Sequence, residues 1–154
     1  MCDRVEKGQW ICIVSSCGGH LTEVREFRPI YRDLPHYYVL NDRVPLPEDM
    51  EGRTFFISHA ERDWRVLWNL VETWRIFRKM RPGVILSTGA GPAVPAAIIG
   101  WFMGAPTVFV ESVCRVTQPS LTGRIMYYLA RRMFYQWAGL RRHYPKATCG
   151  GSIF

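Results

Sequence analysis

The amino-acid sequence predicts an α/β fold: a mostly parallel sheet with helices on both faces. Short apolar runs rich in β-branched and aromatic residues alternate along the chain with longer segments of helical periodicity, the pattern of a sheet built from β-α-β units. Three loops, Ser16-Cys17-Gly18-Gly19-His20, Ser87-Thr88-Gly89-Ala90-Gly91-Pro92 and Glu111 through Gly123, each follow an apolar run and lead into a helical segment. They are therefore expected on one edge of the sheet. In such sheets the ligand sits outside the carboxyl ends of the strands, where the strand order reverses. If the first and fourth strands are neighbours, the first two loops flank that crevice and the third lies beside it.

Strands are predicted over Trp10–Ser15, His36–Leu40, Thr54–Ser58, Val84–Ser87 and Thr107–Glu111, with short runs at Met133–Gln136 and Ala147–Cys149. Between them, apolar residues at helical spacing predict helices over Leu21–Asp33, Ala60–Lys79, Ala93–Met103 and Leu121–Arg131. The stretch Asn41–Arg53, with Pro45, Pro47 and Gly52, is expected to be an irregular surface loop. Pro82 to Val110 contains no charged residue, which raises the question of a membrane-spanning helix. Eight glycines and prolines punctuate it where a strand, a loop, a helix and a second strand would meet, from Gly83 to Pro106, so it reads as a buried β-α-β unit.

The chain of 154 residues is expected to be a single domain, 1–154, long enough to bury its own core. With 48% hydrophobic and 21% charged residues it is not a disordered chain. The five cysteines, Cys2, Cys12, Cys17, Cys114 and Cys149, contain no C-x-x-C pair and follow no signal peptide, so they read as reduced cytosolic thiols. The four histidines lack metal-ligand spacing, and no metal is expected. The net charge of +7 comes overwhelmingly from arginine, which suits an anionic partner: phosphate groups, an acidic membrane face or nucleic acid. No motif supports nucleic acid. A solvated basic surface accounts for the charge equally well.

On the predicted helix from Ala60 to Lys79, Trp64, Leu67, Trp68, Leu70, Val71, Trp74 and Phe77 cover an arc wider than a core-facing stripe needs, and Arg75, Arg78, Lys79 and Arg81 gather at its end. Trp64, Trp68, Trp74, Arg75 and Arg78 would suit a membrane interface or a partner subunit. The alternative is an aromatic core helix whose cations complement its dipole.

In the first loop, Gly18 and Gly19 allow close backbone approach to a ligand, and the following helix aims its first amides at an anion, so a phosphate or diphosphate is the natural occupant. His20 falls in the first turn, where a neutral imidazole accepts a proton from a hydroxyl; a lone histidine there is more often a structural cap. Thr88, Gly89 and Gly91 repeat the pattern, with Pro92 opening the next helix. Glu111 ends an apolar strand. It is either a site residue or a buried partner of Arg115.

These loops resemble a known arrangement. Ser15-Ser16-Cys17-Gly18-Gly19-His20-Leu21, Ser87-Thr88-Gly89-Ala90-Gly91-Pro92, Glu111-Ser112, Gln118-Pro119-Ser120-Leu121-Thr122-Gly123 and Gln136-Trp137 together resemble the PssD family of bacterial polysaccharide synthesis. That family is akin to the membrane-recruiting subunit of the dolichol-linked N-acetylglucosamine transferase and similar to the N-terminal half of MurG. The resemblance covers nearly the whole chain. It implies a Rossmann-like domain equivalent to the acceptor half of a GT-B glycosyltransferase, in a split enzyme whose donor half is a separate, PssE-like polypeptide docked in part by segment 144–154. The implied activity is inverting transfer from a UDP-sugar to a polyprenyl-diphosphate-linked glycan in exopolysaccharide or capsule synthesis, with no cofactor or metal. By the same resemblance His20 or Glu111 is the base, and Ser16, Gly18, Gly19, Thr88, Gly89, Gly91, Arg115, Ser120, Thr122 and Gly123 hold the acceptor diphosphate. The polar start, Met1 to Gln9, differs from the membrane anchor often present in the family, so peripheral attachment to the cytoplasmic face of the plasma membrane is expected, without a transmembrane helix. Two other readings stand beside this one: a non-catalytic membrane scaffold for the partner, and a dinucleotide-binding domain using Asp42, although the first loop lacks the G-x-G-x-x-G spacing.

Overall fold

The computed structural model describes residues 9–41, 45–58 and 65–153. Seven strands, β1 (Trp10–Ser15), β2 (His36–Leu40), β3 (Thr54–Phe56), β4 (Pro82–Ser87), β5 (Thr107–Val110), β6 (Arg132–Tyr135) and β7 (Thr148–Cys149), form one sheet in the order β3-β2-β1-β4-β5-β6-β7. Every pairing is parallel. The chain winds outward from β1 through β2 to β3, then returns to place β4 on the other side of β1, with Ile11 opposite Val84 and Val14 opposite Ser87. The order therefore reverses between β1 and β4, the neighbours expected from the sequence, and the crevice of an open α/β sheet lies at their carboxyl ends.

Because side chains alternate along a strand, each strand supplies both faces. Cys12, Val14, Tyr37, Val39 and Ile85 point to one face, under α3 (Arg65–Met80) and α4 (Ala93–Met103), where they bury Phe77, Ala96 and Ile99. Each such large side chain contributes about 1.5–3 kcal/mol on burial. Gly100 lets α4 sit close to the sheet, since a Cβ there would overlap the Ile85 side chain and the Ala105 carbonyl. Further along this face α5 (Leu121–Leu129) buries Met126 against Phe109, Met133 and Tyr144. On the opposite face α1 (Gly19–Glu26) and α2 (Arg28–Tyr31) cover Ile13, Tyr38 and Leu40 with Val24 and Tyr31. Beyond α2 that face opens into an apolar groove of about 380 Å³, lined by Val84, Leu86, Val108, Val110, Phe134 and Ile153 among others.

Four departures from the sequence reading have local causes. The helix expected over Leu21–Asp33 is broken at Phe27, because Pro29 lacks the N–H and its ring would crowd the carbonyl of Arg25 in a continuous helix. The helix expected to reach Arg131 stops at Leu129, because Ala130 is extended and the Arg131 amide already donates to the Thr107 carbonyl at the start of β5. The loop at 41–53 is not wholly at the surface: a 3₁₀ turn over Glu48–Met50 buries Met50 completely. In the uncharged stretch, Trp101 and Phe102 at the end of α4 are 70% and 71% exposed, so that unit is not buried throughout. Asp42 and Trp64 lie outside the described residues. Among the described residues no helix is long and apolar enough to cross a membrane.

Candidate active site

The first loop leaves β1 at Ser15 and turns at Gly18, whose φ of 97° favours glycine. Helix α1 then starts at Gly19, and its N-cap, Gly18, has no side chain to bond the first amides. Leu21 and Thr22 return their amides to the Gly18 carbonyl at 3.0 and 3.1 Å. The second loop leaves β4 beside it. Gly89, with φ 126°, lies against the imidazole of His20: a Cβ there would stand 3.3 Å from His20 Cε1. Thr88 Oγ1 donates to the His20 carbonyl at 3.0 Å, so the second loop holds both the ring and the backbone of His20.

The third loop reaches the same place through a residue that sequence reasoning missed. Glu23, one helical turn after His20 and only 4% exposed, accepts hydrogen bonds on Oε1 from Ser112 Oγ (2.6 Å) and the Val113 amide (3.1 Å). Its Oε2 stands 3.6 Å from His20 Nδ1. Burial pushes the Glu23 carboxyl up, but His20, the Ser112 hydroxyl and the Val113 amide outweigh it and hold the carboxyl below its ordinary value. The signal for this pair was present in the sequence as an i,i+3 His–Glu spacing on a helix.

Glu111 is placed differently. It is 1% exposed and its carboxylate is saturated: Oε1 accepts from Ser120 Oγ (2.8 Å) and the Ser112 amide (3.2 Å), Oε2 from the Ser120 amide (3.3 Å) and Tyr144 Oη (2.5 Å). The Ser120 hydroxyl also accepts the Gly123 amide at 2.8 Å and caps α5. A Cβ on Gly123 would overlap the Glu111 carboxylate and the Tyr144 hydroxyl. Glu111, Ser120 and Gly123 thus form a buried knot beneath the third loop. Arg115 sits exposed on that loop, and among the described residues no ion pair joins it to Glu111.

Two further contacts hold the loop. Gln136 Nε2 donates to the Glu111 carbonyl at 3.1 Å, and Trp137 Nε1 to the Val113 carbonyl at 2.6 Å. Of the predicted set, Gly18, Gly19, His20, Thr88 and Gly89 converge at the carboxyl edges of β1 and β4. Ser16 and Thr122 are half-buried, and Gly91 is exposed at the end of the second loop. Among the described residues no group of three or more His, Cys, Asp or Glu is arranged to hold a metal ion.

Away from this edge, α3 turns Trp68, Val71, Trp74, Arg75 and Arg78 outward and Thr73 and Phe77 inward. Trp68 is 55% exposed. Since α4 packs against α3, its exposed Trp101 and Phe102 join the same helical layer.

Residues 52–153 match the family described as "Oligosaccharide biosynthesis protein Alg14 like". The chain is 26% identical to the UDP-N-acetylglucosamine transferase subunit ALG14 of Homo sapiens over 178 residues, 93% of this chain and 82% of the human protein. It is 25% identical, over 74% of its length, to a UDP-N-acetylglucosamine–N-acetylmuramyl-(pentapeptide) pyrophosphoryl-undecaprenol N-acetylglucosamine transferase of Bacillus thuringiensis, and spans 30% of that enzyme. Among solved structures, Acinetobacter baumannii MurG superposes with a TM-score of 0.66 at 11% identity, over 83% of this chain and 41% of MurG. The last likeness is one of fold, the Rossmann-like architecture predicted from the sequence. With the family match spanning residues 52–153, about two-thirds of its length, the chain belongs to the Alg14-like family of oligosaccharide biosynthesis proteins.

Proposed function

We propose that this chain is the acceptor-binding, membrane-associating subunit of a two-component inverting glycosyltransferase, moving a sugar from a UDP-sugar held by a PssE-like partner to a polyprenyl-diphosphate-linked glycan of exopolysaccharide or capsule synthesis. The observation that carries this reading is the convergence of His20, the uncapped start of α1 and the Gly89 loop at the point where the strand order reverses. The likeness to a UDP-N-acetylglucosamine transferase subunit supports a nucleotide-sugar reaction.

In this reading the amides around Gly18 and Gly19, with Thr88, Gly89, Gly91 and Arg115, receive the acceptor diphosphate, flanked by Ser16 and Thr122. His20, 33% exposed at its side chain, takes the proton of the acceptor hydroxyl. The hydroxyl oxygen bonds to the anomeric carbon, and the bond from that carbon to UDP breaks with its electron pair on the departing phosphate oxygen. Glu111, enclosed and saturated, is assigned to holding the third loop, as are Ser120 and Gly123. The outward Trp68, Trp74, Trp101, Phe102, Arg75 and Arg78 meet the membrane surface at the cytoplasmic face, aromatic rings at the headgroups and arginines on anionic lipid.

His20→Ala, co-expressed with the partner, is expected to abolish sugar transfer while leaving the complex intact. Near-normal transfer would remove His20 from the mechanism. A second reading, a membrane scaffold with no part in the chemistry, is favoured by the exposed aromatic and basic surface alone; it predicts that changing the glycine loops leaves transfer at full rate.

A further inference from the structure

We propose that Glu23 is the positioning carboxylate of His20, fixing the imidazole as the Nδ1–H tautomer so that Nε2 faces the cleft as proton acceptor. The inference rests on the reading of His20 as the base. The residue that orients His20 stands three positions along the same helix.

The geometry leaves Glu23 few alternatives. Its Oε1 is held by two donors from the third loop, which fixes the carboxylate plane. Among the described residues its buried Oε2 has no hydrogen-bond partner within bonding distance, and neither has the buried Nδ1 of His20; the two atoms face each other at 3.6 Å. An unpaired buried carboxylate oxygen and an unpaired buried ring nitrogen each carry a desolvation cost, and a shift of a few tenths of an ångström satisfies both. The ring also lies against Gly89, where a Cβ would make a tight 3.3 Å contact with Cε1, and its backbone is tied to Thr88. Which imidazole nitrogen carries the proton is set by the hydrogen bond made by the other. A carboxylate on Nδ1 therefore reserves the Nε2 lone pair for the acceptor hydroxyl.

When the hydroxyl proton moves to Nε2 the ring becomes an imidazolium, and Glu23 is the fixed negative charge beside it. The Ser112 bond adds a link between the third loop and the base: the loop that carries Arg115 also holds the carboxylate that orients His20.

The test is a long-range ¹H–¹⁵N correlation spectrum of the full chain labelled at histidine nitrogen, at a pH where His20 is neutral, for the native protein, Glu23→Gln and Glu23→Ala. A dominant Nδ1–H tautomer is expected in the native chain and is lost to the Nε2–H form in both variants: in Glu23→Gln the Ser112 hydroxyl and the Val113 amide claim the amide oxygen and leave an NH2 group donating to Nδ1, and in Glu23→Ala no acceptor remains. Transfer by the complex should fall in Glu23→Ala through kcat rather than KM, by at least about 10-fold within the 10²–10⁴ that a general base supplies. Glu23→Gln, with a donor in place of the acceptor at Nδ1, should fall at least as far as Glu23→Ala. A dominant Nε2–H tautomer in the native chain overturns the assignment without any variant, so failure of Glu23→Ala to fold does not protect it. His20→Ala with full transfer activity overturns the base reading itself, and Glu23's catalytic part with it, whatever the tautomer.

Discussion

Tyr144 gives the most direct test of the knot under the third loop. Tyr144→Phe removes one hydroxyl and no carbon, at a side chain that is 1% exposed, so packing against Met126 and Tyr135 is retained. What is lost is a 2.5 Å hydrogen bond to Glu111 Oε2, which keeps only the Ser120 amide at 3.3 Å. Hydrogen bonds to charged groups contribute about 1.5–3 kcal/mol. The expected cost is therefore about 2 kcal/mol, which for a domain of this size lowers the melting temperature by roughly 4–8 °C. The variant carries a second signature. Burial, followed by the hydrogen bond to Glu111 and its charge, raises the Tyr144 phenol well above 10, so the folded chain keeps a proton that the unfolded chain releases above that pH. That stabilisation is complete below pH 10 and is lost as the pH rises beyond it, at about 1.4 kcal/mol per unit for each such group. Native and variant melting curves recorded from pH 8 to 11 should show an alkaline decline that is shallower by one proton in Tyr144→Phe. Equal melting temperatures at pH 8 and parallel declines would refute both the strength of the bond and the assignment of the proton.

Other expectations follow from neighbouring features. Gly89→Ala forces a methyl to 3.3 Å from the His20 ring at a backbone φ of 126°, and should cost about 1–3 kcal/mol in chemical denaturation while reducing transfer by the partnered enzyme at least about 10-fold. Burial in an apolar setting pushes the Cys12 thiol up, whereas Cys114 and Cys149 are exposed; alkylation of the native chain followed by peptide mass spectrometry should label those two and reach Cys12 only in denaturant. Replacing Trp68 and Trp74 by alanine should weaken sedimentation with anionic vesicles while the chain stays folded, because each ring is about half exposed, at 55% and 42%.

The sheet was legible because strand and helix write different periods. Trp10–Ser15, His36–Leu40 and the helix Ala93–Met103 match residue for residue. Misplaced boundaries occur where a distant contact decides. Arg131 leaves its helix to bond Thr107, more than twenty residues earlier in the chain. Phe27 is the exception, because Pro29 announces that break locally. The loop bearing Met50 looked like surface since its prolines and glycine mark a turn, while nothing local tells whether a turn is anchored. At the site, glycines with positive φ and the helix start were readable. Tyr144 was not, because its partner carboxylate is 33 residues away and no spacing rule connects them.

That separation bears on the order in which the molecule is made. The strands around β1 and β4 pair within the first two-thirds of the chain, and a polypeptide emerging from the ribosome can consolidate that portion early. The third loop cannot settle then. Its lower supports are Gln136, Trp137 and Tyr144, and Gln136 is itself held by the amide of Ile153. The cleft is thus finished by residues that follow the strands carrying its loops. A nascent chain still short of Tyr144 has the pairing of β1 with β4 and its first two loops but an unsupported third wall, so the functional edge is completed only by contacts made after the strands that position it.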